Sequence, residues 1–160
     1  MEKKNIDWSS IGFGYMPTDY RYVSNFKDGK WDEGTLSTDP NIVLNECAGV
    51  LQYSQSVFEG LKAYTTEDGH IVTFRPDLNA ERMANSAKRL EMPAFPEDRF
   101  VKAVEETVRA NAGFVPPYGS GATLYIRPYM FGTNPVIGVK PADEYQFRMF
   151  CTPVGPYFKG

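Results

Sequence analysis

Apolar residues are interspersed with polar ones along Tyr20-Arg21-Tyr22-Val23-Ser24-Asn25-Phe26, and Lys27-Asp28-Gly29-Lys30 separates this run from Trp31. The pattern predicts strand, tight turn, strand, because Gly29 supplies the positive φ that short hairpin turns require. A second hairpin is predicted where Leu61-Lys62-Ala63-Tyr64 and Ile71-Val72-Thr73-Phe74 flank residues 65–70, with His70 on its exposed turn. From Leu78 to Leu90, Ala80, Met83, Ala84, Ala87 and Leu90 recur at helical spacing, with Pro76-Asp77 ahead of them and Pro93 stopping the run. A second amphipathic helix is expected from about Pro96 to Asn111, burying Phe100, Val101, Val104 and Val108, with Gly113 just past its end.

Residues 113–121 then read as a Pro/Gly/Ser-rich loop leading into Leu124-Tyr125-Ile126-Arg127-Pro128. Strand side chains alternate faces, so Tyr125 and Arg127 emerge together on one face, with Leu124 and Ile126 on the other. A guanidinium taken out of water needs a partner, so Arg127 requires an internal carboxylate or a cavity that receives an anion or a hydroxyl. Residues 131–139 follow as a turn-rich loop whose Ile137 and Val139 are too apolar to be left in solvent, which predicts that something covers them. A last strand spans about Tyr145 to Pro153, and Gly155-Pro156-Tyr157-Phe158 reads as the start of a linker. The expected organisation is one domain over 1–154 and linker from 155 to 160. The expected fold class is α+β, a largely antiparallel sheet with two main helices packed against it.

Composition narrows the chemistry. The 160 residues carry 17 Lys+Arg and 20 Asp+Glu, a formal charge of -3, with no basic run, which argues against a nucleic-acid or anionic-membrane partner. Cys47 and Cys151 stand in no metal or redox spacing, and a single His70 builds neither a zinc cluster nor a Ser-His triad. No segment approaches the ~18 apolar residues of a membrane span, so a cytoplasmic protein acting on small molecules is expected. Arg82, Asn85, Ser86 and Arg89 fall on the polar side of the first helix. Placed near that helix's start, Arg82 opposes the helix dipole unless an anion such as a phosphate lies beside it.

One stretch carries a resemblance. Tyr53-Ser54-Gln55-Ser56-Val57-Phe58-Glu59-Gly60-Leu61-Lys62-Ala63-Tyr64 resembles the tyrosine-bearing segment of branched-chain amino acid aminotransferases. Phe74-Arg75-Pro76-Asp77-Leu78-Asn79-Ala80-Glu81-Arg82 is similar to the phosphate-arginine segment of that family, and Tyr125-Ile126-Arg127 to its pocket strand, in the same order and register. The resemblance extends from about Phe13 to Phe158. It implies the small N-terminal domain of the fold-type IV pyridoxal-phosphate enzymes.

By this resemblance Arg82 would contact the phosphate of pyridoxal 5'-phosphate. Phe13, Tyr53, Phe58 and Tyr125 would wall the substrate side-chain pocket, with Arg127 orienting the tyrosine hydroxyls and accepting the glutamate side-chain carboxylate. Ile137 and Val139 would reach the neighbouring subunit's site in a homodimer. The reaction implied is amino transfer between leucine, isoleucine or valine and 2-oxoglutarate, through glutamate and the matching 2-oxo acids. The family's Schiff-base lysine lies in a second, C-terminal domain, and Lys159 lacks its surrounding motif. The chain therefore carries no catalytic residue of its own, and alone it is expected to be inactive and to bind the cofactor weakly or not at all. Alternative readings are the small domain of a D-amino acid aminotransferase or an aminodeoxychorismate lyase, and a stand-alone, non-catalytic binding domain.

Overall fold

The computed structural model describes residues 2–158, so Lys159 lies outside the described residues. The strands are β1 (Arg21–Lys27), β2 (Lys30–Trp31), β3 (Thr35–Ser37), β4 (Ser56–Phe58), β5 (Leu61–Thr65), β6 (Ile71–Thr73), β7 (Thr123–Gly132) and β8 (Tyr145–Val154). Between them lie α1 (Gly49–Tyr53), α2 (Pro76–Arg89), α3 (Glu97–Ala110) and a 3-10 turn at Ala112–Phe114. The sheet runs β2-β1-β8-β7-β5-β6, with β3 added beside β1 and β4 beside β7. Every strand pair is antiparallel, in agreement with the α+β expectation.

One face of the sheet carries the helices. Leu124, Ile126 and Met130 of β7 and Phe147, Met149 and Cys151 of β8 form a core with Ala80, Met83 and Ala87 of α2 and Phe100, Ala103, Val104 and Val108 of α3. Alternation sends Tyr125, Arg127 and Tyr129, with their β8 partners Thr152, Phe150 and Arg148, to the opposite face. The N-terminal segment lies along that second face: Met16 N–H donates to Thr152 Oγ1 at 2.8 Å and Gly155 N–H to the Gly12 carbonyl at 3.0 Å. The β1–β2 hairpin turns on Asp28 and Gly29, both at positive φ (51° and 78°), as the Asp-Gly pair predicts. His70 is exposed on the second hairpin turn, against Asp68.

Several boundaries differ from the expectation. β7 does not stop at Pro128 but continues to Gly132, so Phe131 and Gly132 are buried strand residues rather than loop. The Pro128 carbonyl accepts from Glu59 N–H at 2.8 Å, on the side where β4 ends and β5 has not begun. A strand residue directs its N–H and C=O to the same side, so the N–H that proline lacks falls at a break in the neighbouring edge, where no ladder bond is lost. α2 begins at Pro76 rather than Leu78, which places Arg82 in its second turn, beyond the reach of the helix dipole that would favour an anion beside it. Leu90 is the exposed C-cap residue rather than a core member, and Val101 is only half-buried. Ile137 and Val139 are 85% and 89% exposed, so none of the described residues covers them.

Candidate functional site

The open face of β7 collects the aromatic residues singled out by the sequence. Arg127 donates from Nη2 (2.8 Å) and Nε (3.2 Å) to Tyr125 Oη, and its guanidinium lies 4.5 Å from the centre of the Phe58 ring. No carboxylate pairs with it among the described residues. The partner is thus not the internal carboxylate the strand pattern allowed but the hydroxyl of Tyr125, two residues away on the same face, reinforced by a cation–π contact. Phe13 closes the corner edge-on to Tyr125 at 5.7 Å, and Tyr157 packs against Phe13 at 4.8 Å. Phe13, Phe58, Tyr125 and Arg127 are thus one cluster built from the N-terminal segment, β4 and β7.

Tyr53 stands apart from that cluster. At the end of α1, its hydroxyl accepts the Gly138 N–H at 2.7 Å and so ties the Ile137–Val139 loop to the helix. Two further residues reach the corner through register. Lys62 of β5 lies directly opposite Tyr125, and Gly60 precedes it where β5 meets β7. Gly60, Lys62, Tyr64, Phe74, Asn79 and Tyr125 line a shallow hollow of about 370 Å³. Alternation made Lys62 legible, since Leu61 and Ala63 on either side of it are buried, but only strand register shows that it faces Tyr125.

Arg82 is not free. Its Nε and Nη2 donate to the two carboxylate oxygens of Glu59 at 2.7 and 2.6 Å, and Asn79 Nδ2 donates to the same carboxylate at 3.0 Å. Glu59 is 3% exposed while the Arg82 side chain is 66% exposed, so the carboxylate is the buried anchor and the guanidinium presents its remaining donors outward. Sequence reasoning gave Glu59 no task beyond its motif. Its place immediately after β4, beside Arg82's helix, is a tertiary fact.

Burial pushes the Glu59 carboxyl up, but hydrogen bonds from Arg82 and Asn79 and the Arg82 charge outweigh it and hold the group below the usual carboxylate range. A depressed folded pKa gives stability that is complete above the unfolded value of about 4.3 and is lost as pH falls through the folded one. Glu59→Gln is therefore expected to be less stable than wild type at neutral pH, with the gap closing under acid. Urea midpoints of both proteins across the acid range measure it, and a gap that persists at low pH would refute the ionised anchor.

Other groups offer little chemistry. Burial pushes the Cys151 thiol up to about 11, which leaves it protonated and inert at neutral pH. No cluster of His, Cys, Asp and Glu able to hold a metal occurs among the described residues, and no helix among them is long and apolar enough to cross a membrane.

A sequence profile of the amino-transferase class IV family matches residues 56–157, from β4 through the end of the aromatic corner. The branched-chain-amino-acid aminotransferase of Haemophilus influenzae is 54% identical over 157 residues, covering 98% of this chain and 46% of that protein. Among solved structures, a branched-chain aminotransferase from the archaeon Thermoproteus uzoniensis, determined with norvaline, superposes with a TM-score of 0.66 at 27% identity, over 86% of this chain and 43% of that one. The branched-chain amino acid aminotransferase of Escherichia coli shares the fold, with a TM-score of 0.65 at 23% identity, over 86% of this chain and 41% of that one. The chain spans about half the length of the curated relatives it matches. Since the profile covers well over half of the chain, including the strands that carry Phe58, Tyr125 and Arg127, this chain belongs to the amino-transferase class IV family.

Proposed function

We propose that this chain is the small domain of a branched-chain-amino-acid aminotransferase, with residues 1–154 as the domain and 155–160 as the start of the linker to a second domain. The observation that carries the reading is the Phe13–Phe58–Tyr125–Arg127 corner, in which one guanidinium is set into an aromatic wall without a carboxylate partner among the described residues. Apolar rings accept a leucine, isoleucine or valine side chain by burial. The recessed Arg127 accepts the side-chain carboxylate of glutamate, so one pocket serves both halves of the exchange.

The chain's residues fit a phosphate-bearing cofactor at one point. Arg82 is charged, oriented by two bonds to Glu59, and open to solvent on its outer side, as a guanidinium receiving a phosphate must be. Pyridoxal 5'-phosphate, when bound, supplies the carbonyl that carries nitrogen between amino and 2-oxo acids. Glu59 holds Arg82 in place, and Tyr125 and Arg127 fix each other's polar ends. Exposed Ile137 and Val139, tied back through Gly138 to Tyr53, suit a loop that enters the site of a second subunit in a homodimer. The lysine that covalently holds the cofactor belongs, in this reading, to the half of the relatives outside this chain's span.

The test is steady-state transamination by a full-length protein containing this chain. Leucine with 2-oxoglutarate is expected to be turned over, D-alanine not. Arg127→Leu is expected to raise KM for glutamate and 2-oxoglutarate about ten- to a hundredfold, the cost of leaving a carboxylate unpaired, with a much smaller change for leucine. Equal effects on both substrates would overturn the role of Arg127. The 160-residue chain by itself is expected to give no turnover.

A further inference from the structure

The open face of the sheet holds a second arginine site. Arg148 of β8 lies opposite Val23 of β1 on one side and Tyr129 of β7 on the other, and Arg21 begins β1 on the same face. The two residues are 6% and 4% exposed, and neither forms an ion pair with any described carboxylate. Arg21 donates from Nη1 to the Thr38 carbonyl at 2.6 Å and from Nη2 to the Thr18 carbonyl at 3.0 Å. Arg148 donates from Nη1 to Gln146 Oε1 and from Nη2 to the Asp39 carbonyl, both at 3.2 Å. These neutral acceptors fix the orientation of two like charges without cancelling them. The carboxylate that feels both of them, Asp39, is exposed; its carboxyl is held low chiefly by Asn41 and only secondarily by the two arginines.

Both arginines line one cavity of about 400 Å³, whose other walls are Tyr15, Pro40, Asn41, Tyr129 and Phe150. The Tyr15 and Tyr129 rings each stand edge-on to Phe150 at 6.0 Å. Each arginine bonds through its two Nη atoms and leaves Nε–H unused among the described residues. Burying two cations at one cavity costs several kcal/mol per ion unless an anion joins them. A bare inorganic ion would satisfy the charges but leave the three rings and Pro40 without contact. A carboxylate on a flat, apolar body would use both, and the volume falls within the ~300–1,000 Å³ of small-molecule sites.

We propose that the Arg21–Arg148 cavity is a binding site for a small organic carboxylate with an apolar or aromatic body, independent of the Tyr125–Arg127 wall and of the amino-transfer reading. The carboxylate lies between the two guanidinium groups, and the rings of Tyr15, Tyr129 and Phe150 flank its body.

Benzoate is the probe, titrated into protein labelled with 15N at arginine, with the Nε–H signals of Arg21, Arg148 and Arg127 followed by NMR. Saturable shifts of Arg21 and Arg148 at millimolar benzoate or below, weakened at least tenfold by added salt, are expected. Acetate and inorganic phosphate are expected to bind at least tenfold more weakly, because they forgo the rings. Arg148→Met is expected to abolish the Arg21 shift, and Arg148→Lys, which keeps the charge if the methionine variant fails to fold, to weaken it. Three results would overturn the proposal: no saturable shift at either arginine, a shift confined to Arg127, or phosphate binding as tightly as benzoate. So would finding that protein concentration alone moves both signals, since an acidic group of a second copy would then be the occupant.

Discussion

Phe147→Ala is expected to destabilise the folded chain by about 3–5 kcal/mol, the largest loss we anticipate from any single substitution. Phe147, the third residue of β8, is fully buried, stacked on Phe95 at 3.8 Å, edge-on to Tyr22 at 6.0 Å and tilted against Phe100 at 6.1 Å. These rings come from β1, α3, the segment before α3 and β8, so the cavity left by alanine would be lined by elements distant in sequence. Tyr22 and Phe147 sit on the paired strands β1 and β8, whose backbones cannot close the cavity without disturbing that pairing, and partial relaxation is what sets the cavity cost. Urea denaturation of the wild type and the variant measures the difference. Val43→Ala, at a nearly fully exposed site, is the control and should stay within about 0.5 kcal/mol. A loss below about 1 kcal/mol for Phe147→Ala would mean that the ring cluster does not organise the core.

The second large effect is expected at Gly60. A Cβ there would stand 2.5 Å from Tyr125 Oη and 3.1 Å from its Cε2, closer than packed atoms approach. Gly60 is not at positive φ, so the obstacle is the tyrosine rather than backbone strain. Tyr125 cannot swing aside freely, because Arg127 bonds its hydroxyl and Phe13 abuts its ring. Gly60→Ala should therefore break the Arg127–Tyr125 contact, at about 1–3 kcal/mol of overpacking in stability. Under the proposed function, a full-length protein carrying it should lose about a hundredfold in kcat/KM, the typical effect of misplacing a pocket wall by about 1 Å. Combination with Tyr125→Phe is the discriminating measurement. With the hydroxyl gone, alanine at 60 should cost clearly less, and strictly additive effects would show that the two residues do not collide.

How much of this was legible beforehand depended on the distance over which each signal acts. The Asp28-Gly29 turn, the two main helices and the Tyr125/Arg127 face follow from neighbours within a few residues, where φ preference and side-chain period decide the outcome. Short elements escaped: β3, α1 and β4 are three to five residues long, too brief for a period to show. Pro128 misled because proline normally ends a strand, and its tolerance here depends on a break between β4 and β5 that no local pattern announces. Arg82 was picked out by charge and motif. Its anchor, Glu59, lies 23 residues earlier and became visible only when β4 and α2 were brought together.

The alternation of β7, the amphipathic helices, the charge balance without a basic run and the motif that points to the family are each written in residue type and spacing. What the arginines meet depends on the folded arrangement. Arg127 finds a tyrosine hydroxyl and a ring, Arg82 a buried carboxylate, and Arg21 and Arg148 only carbonyl and amide oxygens among the described residues. A guanidinium's partner must lie within a few ångströms in space, and the packing of strands and helices, not separation along the chain, sets which groups arrive there.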